Sequence, residues 1–198
     1  MGVSAILLAA GAGSRFGGRK LLQPLPDGTP IGVAALRNLR EAIDRVIVVI
    51  RAGDEELAAR FALENATVVA CRQAADGMGH SLATGVAAES DADGWVVALG
   101  DMPRVRANTV RAVAEKLATG AGIVVPSYQR QRGHPVAFGS QFREELLALS
   151  GDAGARALLK LHASQVIRLD VDDPGVLQDI DTPSDLARLT GVGDYVPD

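Results

Sequence analysis

Apolar residues in this chain come in short dense runs, separated by stretches with a helical repeat. Residues 4–8, 46–50, 67–71, 95–99, 122–125, 136–138 and 165–169 are rich in aliphatic and β-branched side chains and too short for helices, so they read as strands. Between them, residues 31–40, 55–65, 81–89, 109–117, 142–149 and 155–162 have the 3.6-residue period of helices. A last helix opens at Thr182-Pro183, with Thr182 as N-cap and Pro183 in the first turn. Strands alternating with helices predict a mainly parallel sheet covered by helices. Repeats, low-complexity tracts and linkers rich in Pro, Gly and Ser are absent, so residues 1–198 are expected to form one domain. In such a sheet ligands gather beyond the carboxyl ends of the strands.

The first strand empties into Ala9-Ala10-Gly11-Ala12-Gly13-Ser14-Arg15-Phe16-Gly17-Gly18-Arg19-Lys20. Glycines let backbone N–H groups close around phosphate oxygens, and arginine and lysine add charge that the backbone lacks. Loop and cations together point to a triphosphate. The dinucleotide fingerprint fails because Phe16 stands where its third glycine belongs, and the second strand ends in Arg51 rather than an acid. The P-loop pattern fails because Leu21 follows Lys20, which places no hydroxyl for magnesium.

The fourth strand ends in Gly100-Asp101-Met102-Pro103, which holds a carboxylate at the strand's mouth, where Mg²⁺ bound to phosphates would sit. Asp101 could instead cap the next helix, but Asn108 is the better-placed cap before Thr109. Gln178-Asp179-Ile180-Asp181 offers a second carboxylate, and alternation puts Asp179 and Asp181 on one side of an extended segment. The sequence does not choose between them. In Asp76-Gly77-Met78-Gly79-His80-Ser81, Gly77 and Gly79 allow the backbone to lie against a flat base, and Ser81 opens the next helix. His80 reads as a pocket wall, since an acceptor that is already a phosphate needs no base at neutral pH. Arg132-Gly133-His134-Pro135 and Gly151-Asp152-Ala153-Gly154-Ala155-Arg156 each pair backbone freedom with a polar group able to hold a heteroaromatic or phosphorylated substrate.

Composition narrows the setting. With aromatics at only 4% of residues, Ala, Leu and Val must build the core. A net charge of −4 argues against a nucleic-acid or anionic-membrane partner. A lone cysteine, Cys71, leaves neither an intramolecular disulfide nor a Cys-based metal cluster. The first apolar run is short and breaks at Gly11, so no leader or membrane span is expected and the setting is cytoplasmic.

The glycine loop resembles the signature of GT-A-like nucleotidyltransferases through Leu8, Ala9, Ala10, Gly11, Gly13, Arg15, Phe16, Gly17 and Lys20. With G-D-M-P, D-I-D-T-P, G-M-G-x-S-L, R-G-H-P-V-x-F-G and G-D-x-G-A-R, the chain is similar to the molybdenum cofactor cytidylyltransferases among MobA-like NTP transferases. The resemblance spans Leu8 to Leu186. It implies a three-layer Rossmann-like α/β fold with a mainly parallel mixed sheet. It also implies transfer of a cytidylyl group from CTP to the phosphate of molybdopterin, releasing pyrophosphate. Residues Leu8, Ala9, Ala10, Gly11, Gly13, Gly77, Gly79 and Ser81 would then bind nucleotide, and Arg15 and Lys20 would meet the triphosphate. Asp101, with Asp179 or Asp181, would hold Mg²⁺. His134 and Arg156 would face the acceptor, and a molybdenum hydroxylase or dehydrogenase is the implied client. GTP in place of CTP, a sugar or erythritol phosphate acceptor, or a non-catalytic cofactor chaperone are the alternatives. A short, insert-free chain carrying R-G-H-P and G-A-R weighs against the sugar and erythritol acceptors.

Overall fold

The computed structural model describes residues 2–152 and 154–190, with the side chains of Arg15 and Thr190 outside that description. β1 (Val3–Ala9) lies inside an eight-stranded sheet and is buried from Ser4 onward, as its unbroken apolar run requires. β2 (Val46–Arg51) and β4 (Gly94–Leu99) pair with it in parallel, one on each side, and β3 (Thr67–Cys71) adds beyond β2. On the other flank β7 (Val136–Gly139) runs antiparallel to both β4 and β5 (Ile123–Tyr128). β8 (Val166–Asp170) runs parallel to β5. The sheet is therefore mixed but mainly parallel, as expected.

A short strand that the sequence pattern does not mark, β6 (Gln131–Arg132), pairs with the end of β5. The register against β5 shifts between Ser127↔Arg132 and Val124↔Ala137, so β6 and β7 are one hairpin return broken by a bulge. His134 sits in that bulge and donates its N–H to the Val176 carbonyl at 2.9 Å.

Alternation along the strands feeds two cores. On one face Leu7, Val48 and Val96 pack with Ile31 and Leu36 of α1 (Ile31–Arg40), Phe61 of α2 (Glu55–Ala62) and Val113 of α4 (Ala107–Ala118). On the other, Ile6, Trp95 and Phe138 meet Leu82 of α3 (Met78–Ala88), Leu146 of α5 (Arg143–Leu147) and Leu158 of α6 (Arg156–Leu161). Helices on both faces make three layers of a single α/β domain. No helix among the described residues is long and apolar enough to cross a membrane.

Two helix starts differ from the sequence reading. α3 begins at Met78, after Gly77 at φ 128°, so Ser81 lies within the helix, 3% exposed, and does not open it. α4 begins at Ala107, so Asn108 is inside the first turn and is not the cap. The cap is Arg106, and the start of the helix is held from far along the chain: the buried Asp173 carboxylate accepts from the Arg106 N–H at 2.9 Å and the Thr109 hydroxyl at 2.7 Å. Residues 142–149 divide into a 3-10 turn (Ser140–Phe142) followed by α5. The final helix, α7 (Pro183–Thr190), starts where predicted. There the Thr182 hydroxyl accepts from the Asp185 N–H at 3.2 Å, and the Asp185 carboxylate accepts from the Thr182 N–H at 2.7 Å. This is a reciprocal capping box with Asp in the Glu position.

Candidate functional site

Beyond β1 the chain turns through Ala10–Gly13 into a 3-10 turn (Ser14–Phe16) and a second one (Lys20–Leu22). The Phe16 and Gly18 N–H groups both return to the Gly13 carbonyl, at 2.9 and 3.1 Å, which closes the loop on itself. Gly13, at φ 58°, has Lys20 Cβ only 3.2 Å from where its own Cβ would be, so the loop brings Lys20 beneath its start. Gly11 is exposed, and a Cβ there would meet nothing within 4 Å. That open space lies at the mouth of the sheet, where a bound group can approach the bare backbone. Arg15 lies in the first 3-10 turn, and its side chain falls outside the described part of the structure.

Lys20 joins two of the predicted carboxylates. Its Nζ donates to Asp101 Oδ2 at 2.7 Å and to Asp181 Oδ1 at 3.1 Å. Asp101 is placed by the sharp exit from β4, where the Gly100 N–H binds the Leu8 carbonyl at 2.9 Å. The loop beyond is pinned by Asn38 Nδ2 on the Pro103 carbonyl at 2.8 Å. Asp181 is brought over because the Ile180 N–H donates to the Asp101 carbonyl at 2.9 Å while the Ile180 side chain is buried. Burial works against the Lys20 charge, but the hydrogen bonds and charges of the two aspartates outweigh it and hold its pKa above the ordinary value.

Asp101 Oδ1 is buried and has no hydrogen-bond partner. A carboxylate oxygen left over in this way, with a second carboxylate across the lysine, suits a hard cation. Among the described residues no group of three or more His, Cys, Asp or Glu could hold a metal ion. A cation here would need further oxygens from its ligand, which is how Mg²⁺ is commonly held with phosphates.

A cavity of about 500 Å³ runs from Lys20 and Asp101 past the glycine loop to Ala74, Gly77 and Ser81. Leu8, Ala9 and Ala10 line it as well. The paired glycines have a steric cause that the sequence does not show. A Cβ on Gly77 would stand 2.1 Å from the Gly151 carbonyl carbon, and one on Gly79 would stand 2.8 Å from the Ser150 backbone. The Gly79 N–H donates to the Gly151 carbonyl at 2.9 Å. The glycines thus dock the G-D-x-G-A-R loop onto the start of α3, and Gly77 reaches the cavity while Gly79 is not among its lining residues. His80 is likewise absent from the lining, and its carbonyl accepts from the Thr84 hydroxyl at 2.7 Å.

His134 and Arg156 stand apart from this cavity. His134 lines a small crevice behind Asp101 with Asn38 and Met102, and its Nδ1 is buried without a partner. Burial pushes the imidazole pKa down and nearby Arg156 adds to this, while Asp101 and Asp179 pull upward without prevailing. Arg156 is exposed at the start of α6, and Asp179 is exposed at the near end of the acidic segment. The structure therefore brings together the glycine loop, Lys20, Asp101 and Asp181, with His134, Asp179 and Arg156 on an adjoining flank. Sequence reasoning passed over Arg51 and Asp152 as cavity residues. The signal for Arg51 was its place at a strand's carboxyl end.

A profile described as the MobA-like NTP transferase domain matches residues 5–166. The chain is 33% identical to the nicotine blue oxidoreductase of Paenarthrobacter nicotinovorans, over 94% of this chain and 96% of that one. It is 34% identical to the purine catabolism protein PucB of Bacillus subtilis, over 91% and 92%. With the molybdenum cofactor cytidylyltransferase of Escherichia coli it shares 25% identity over 92% and 93%. Among solved structures it is similar to Rv0371c of Mycobacterium tuberculosis, with a TM-score of 0.85, 32% identity and coverage of 96% and 98%. The manganese complex of Rv0371c aligns with a TM-score of 0.79 and 31% identity, over 96% of this chain and 99% of that one. A nucleotidyl transferase from Methanothermobacter aligns with a TM-score of 0.81 and 27% identity, covering 96% of each chain.

Proposed function

Because the chain belongs to the MobA-like NTP transferase family and has the GT-A-like nucleotidyltransferase fold, we propose that it transfers a cytidylyl group from CTP to the phosphate of molybdopterin. The observation that carries this reading is Lys20 held between Asp101 and Asp181 at one end of a cavity that begins at the glycine loop. A cation flanked by carboxylates at the mouth of a parallel sheet is suited to a metal-bound triphosphate.

In this reading an oxygen of the acceptor phosphate forms a bond to the α-phosphorus, the bond from that phosphorus to the bridging oxygen breaks, and pyrophosphate leaves. No covalent enzyme intermediate is required, so the protein's work is positioning and neutralising charge. The Gly11–Gly18 backbone and Arg15 receive the triphosphate. Lys20 shifts its donors from the aspartates toward the phosphates as negative charge builds on the leaving group. Asp101 and Asp181 are the best-placed ligands for a divalent ion, with Asp179 more exposed; bound there, Mg²⁺ would supply Lewis-acid neutralisation of the phosphates. A manganese complex of a similar protein supports a divalent ion in the family. His134, neutral in its crevice, and Arg156 line the flank on which the acceptor would lie. The setting is cytoplasmic in this reading, with a molybdenum hydroxylase or dehydrogenase as client.

The test is incubation with each of the four NTPs, Mg²⁺ and molybdopterin, followed by identification of the nucleotide product. A cytosine dinucleotide with pyrophosphate release is the expected result. Guanylyl transfer would replace CTP by GTP, an inert protein that still binds molybdopterin would leave a chaperone, and turnover only with a sugar or erythritol phosphate would redirect the acceptor. A second reading rests on the 33% identity to a protein named as an oxidoreductase. Oxidation of a reduced nicotinamide dinucleotide with a dye acceptor, without pyrophosphate release from any NTP, would favour it.

A further inference from the structure

We infer that Arg51 reads the nucleotide base and selects bases that present two adjacent hydrogen-bond acceptors, an inference that rests on the nucleotidyltransferase reading above. Arg51 closes β2, lines the main cavity and is partly buried. Its Nε is shielded from solvent without a partner, and the side chain makes no hydrogen bond or ion pair with any described residue. A guanidinium taken partly out of water normally finds an acceptor. Its neighbours do not provide one. Asp54 accepts from the Leu57 N–H at 3.2 Å as the cap of α2, and Arg19, the other arginine of the lining, is paired with Glu56 at 3.0 Å.

The sheet decides which part of a nucleotide Arg51 meets. The register Ala9↔Ile50 sets Arg51 beside Ala10, at the beginning of the glycine loop. Asp101 leaves β4, on the opposite side of β1. The β2 and β4 exits are two strand spacings apart, roughly 10 Å. Phosphates held at Lys20 and Asp101 therefore leave the base toward β2, over Ala74, Ala75 and Gly77, where Arg51 stands.

A guanidinium offers donors only, in a rigid fork. The fork matches N3 and O2 of cytosine, or O6 and N7 of guanine. Adenine has no two neighbouring acceptors, and uracil places an N–H between its carbonyls. Arg51 thus separates cytosine and guanine from adenine and uracil, and the Ala10 methyl is left to separate the two that remain.

The experiment measures affinity of the full chain for CTP, GTP, ATP, UTP and inorganic tripolyphosphate, with Mg²⁺, by calorimetry. Arg51→Met is expected to weaken CTP roughly ten- to a hundredfold while leaving ATP, UTP and tripolyphosphate unchanged. Arg51→Lys keeps the charge without the fork and is expected to lose nearly as much. If Arg51→Met does not fold, Arg51→Lys carries the same comparison. Equal weakening of every nucleotide and of tripolyphosphate, restored by lysine, would make Arg51 a phosphate contact and overturn the inference. So would unchanged CTP affinity in both variants, or a natural preference for ATP or UTP. Failure of the natural protein to bind any nucleotide would instead overturn the reading beneath it, and a preference for GTP would remove the cytidylyl assignment while supporting Arg51.

Discussion

Lys20 and Asp101, 81 positions apart in the chain, are joined at 2.7 Å, and the same ammonium reaches Asp181 at 3.1 Å. The pair ties the glycine loop after β1 to the strand exit of β4 and to the acidic segment before α7. Because the Lys20 pKa is raised, its contribution to stability is fully present below the unfolded value and is lost only as pH rises through the folded one. Throughout the neutral range the lysine is therefore charged.

Asp101→Asn should nearly abolish turnover and leave the fold intact. Losing a group that neutralises developing charge raises the barrier by about 3–4 kcal/mol. The melting temperature should move little, since Lys20 keeps Asp181 as a partner. Pyrophosphate release and a thermal melt give both readings, and near-normal turnover with Mg²⁺ would take Asp101 out of the metal site.

Lys20→Ala should lower turnover more than nucleotide affinity. Its donors face carboxylates in the free protein, so the gain from turning to the phosphates is greatest where charge builds as pyrophosphate leaves. Saturation kinetics separate the two parameters. An unchanged turnover at saturating CTP would make Lys20 a simple binding group.

Ala10→Gly should raise GTP use relative to CTP. Ala10 lines the cavity, and in the proposed reading its methyl narrows the space beside the base. Pocket shape of this kind discriminates by ~1–3 kcal/mol, so some GTP use by the natural protein is expected. Competition between the two nucleotides in one reaction measures the ratio directly.

Stability should fall below neutral pH in part through His134. Burial depresses its pKa in the fold, so the unfolded chain takes up the proton first as pH drops. The loss begins near the unfolded value of about 6.5 and levels off below the folded one. His134→Gln should therefore show a smaller drop in urea midpoint between about pH 7.5 and about pH 5.5 than the natural protein. An identical drop in both would place the titration elsewhere.

Asp173→Ala should cost about 2–4 kcal/mol of stability. The carboxylate serves the Arg106 N–H, the Thr109 hydroxyl and the Gly175 N–H at 3.0 Å, and all three lose their acceptor in the variant. Urea denaturation followed by circular dichroism tests this, and a midpoint within error of the natural protein would refute it.

Residue period and turn chemistry determined a good deal of this protein before any packing was known. Strand-length apolar runs marked seven of the eight strands; for β1 and β2 the cause is that a parallel strand buried on both faces leaves a continuous aliphatic stretch. The glycine loop, the Asp101 exit and the Thr182 cap were legible for the same local reason: each depends on residues within a few positions of one another. Gln131–Arg132 was not legible, since two polar residues paired at a hairpin carry no hydrophobic signal. Tertiary structure alone chose Asp181 over Asp179 as the partner of Lys20, through one backbone bond from Ile180 to Asp101. It likewise put the α4 cap at Arg106, held by Asp173, instead of at Asn108, and explained Gly77 and Gly79 by the loop pressed against them. Those outcomes follow from strand order and from which side of the sheet each connection takes. Residues far apart in the chain acquire their partners only when β1, β2 and β4 align, and local propensity holds no record of that alignment.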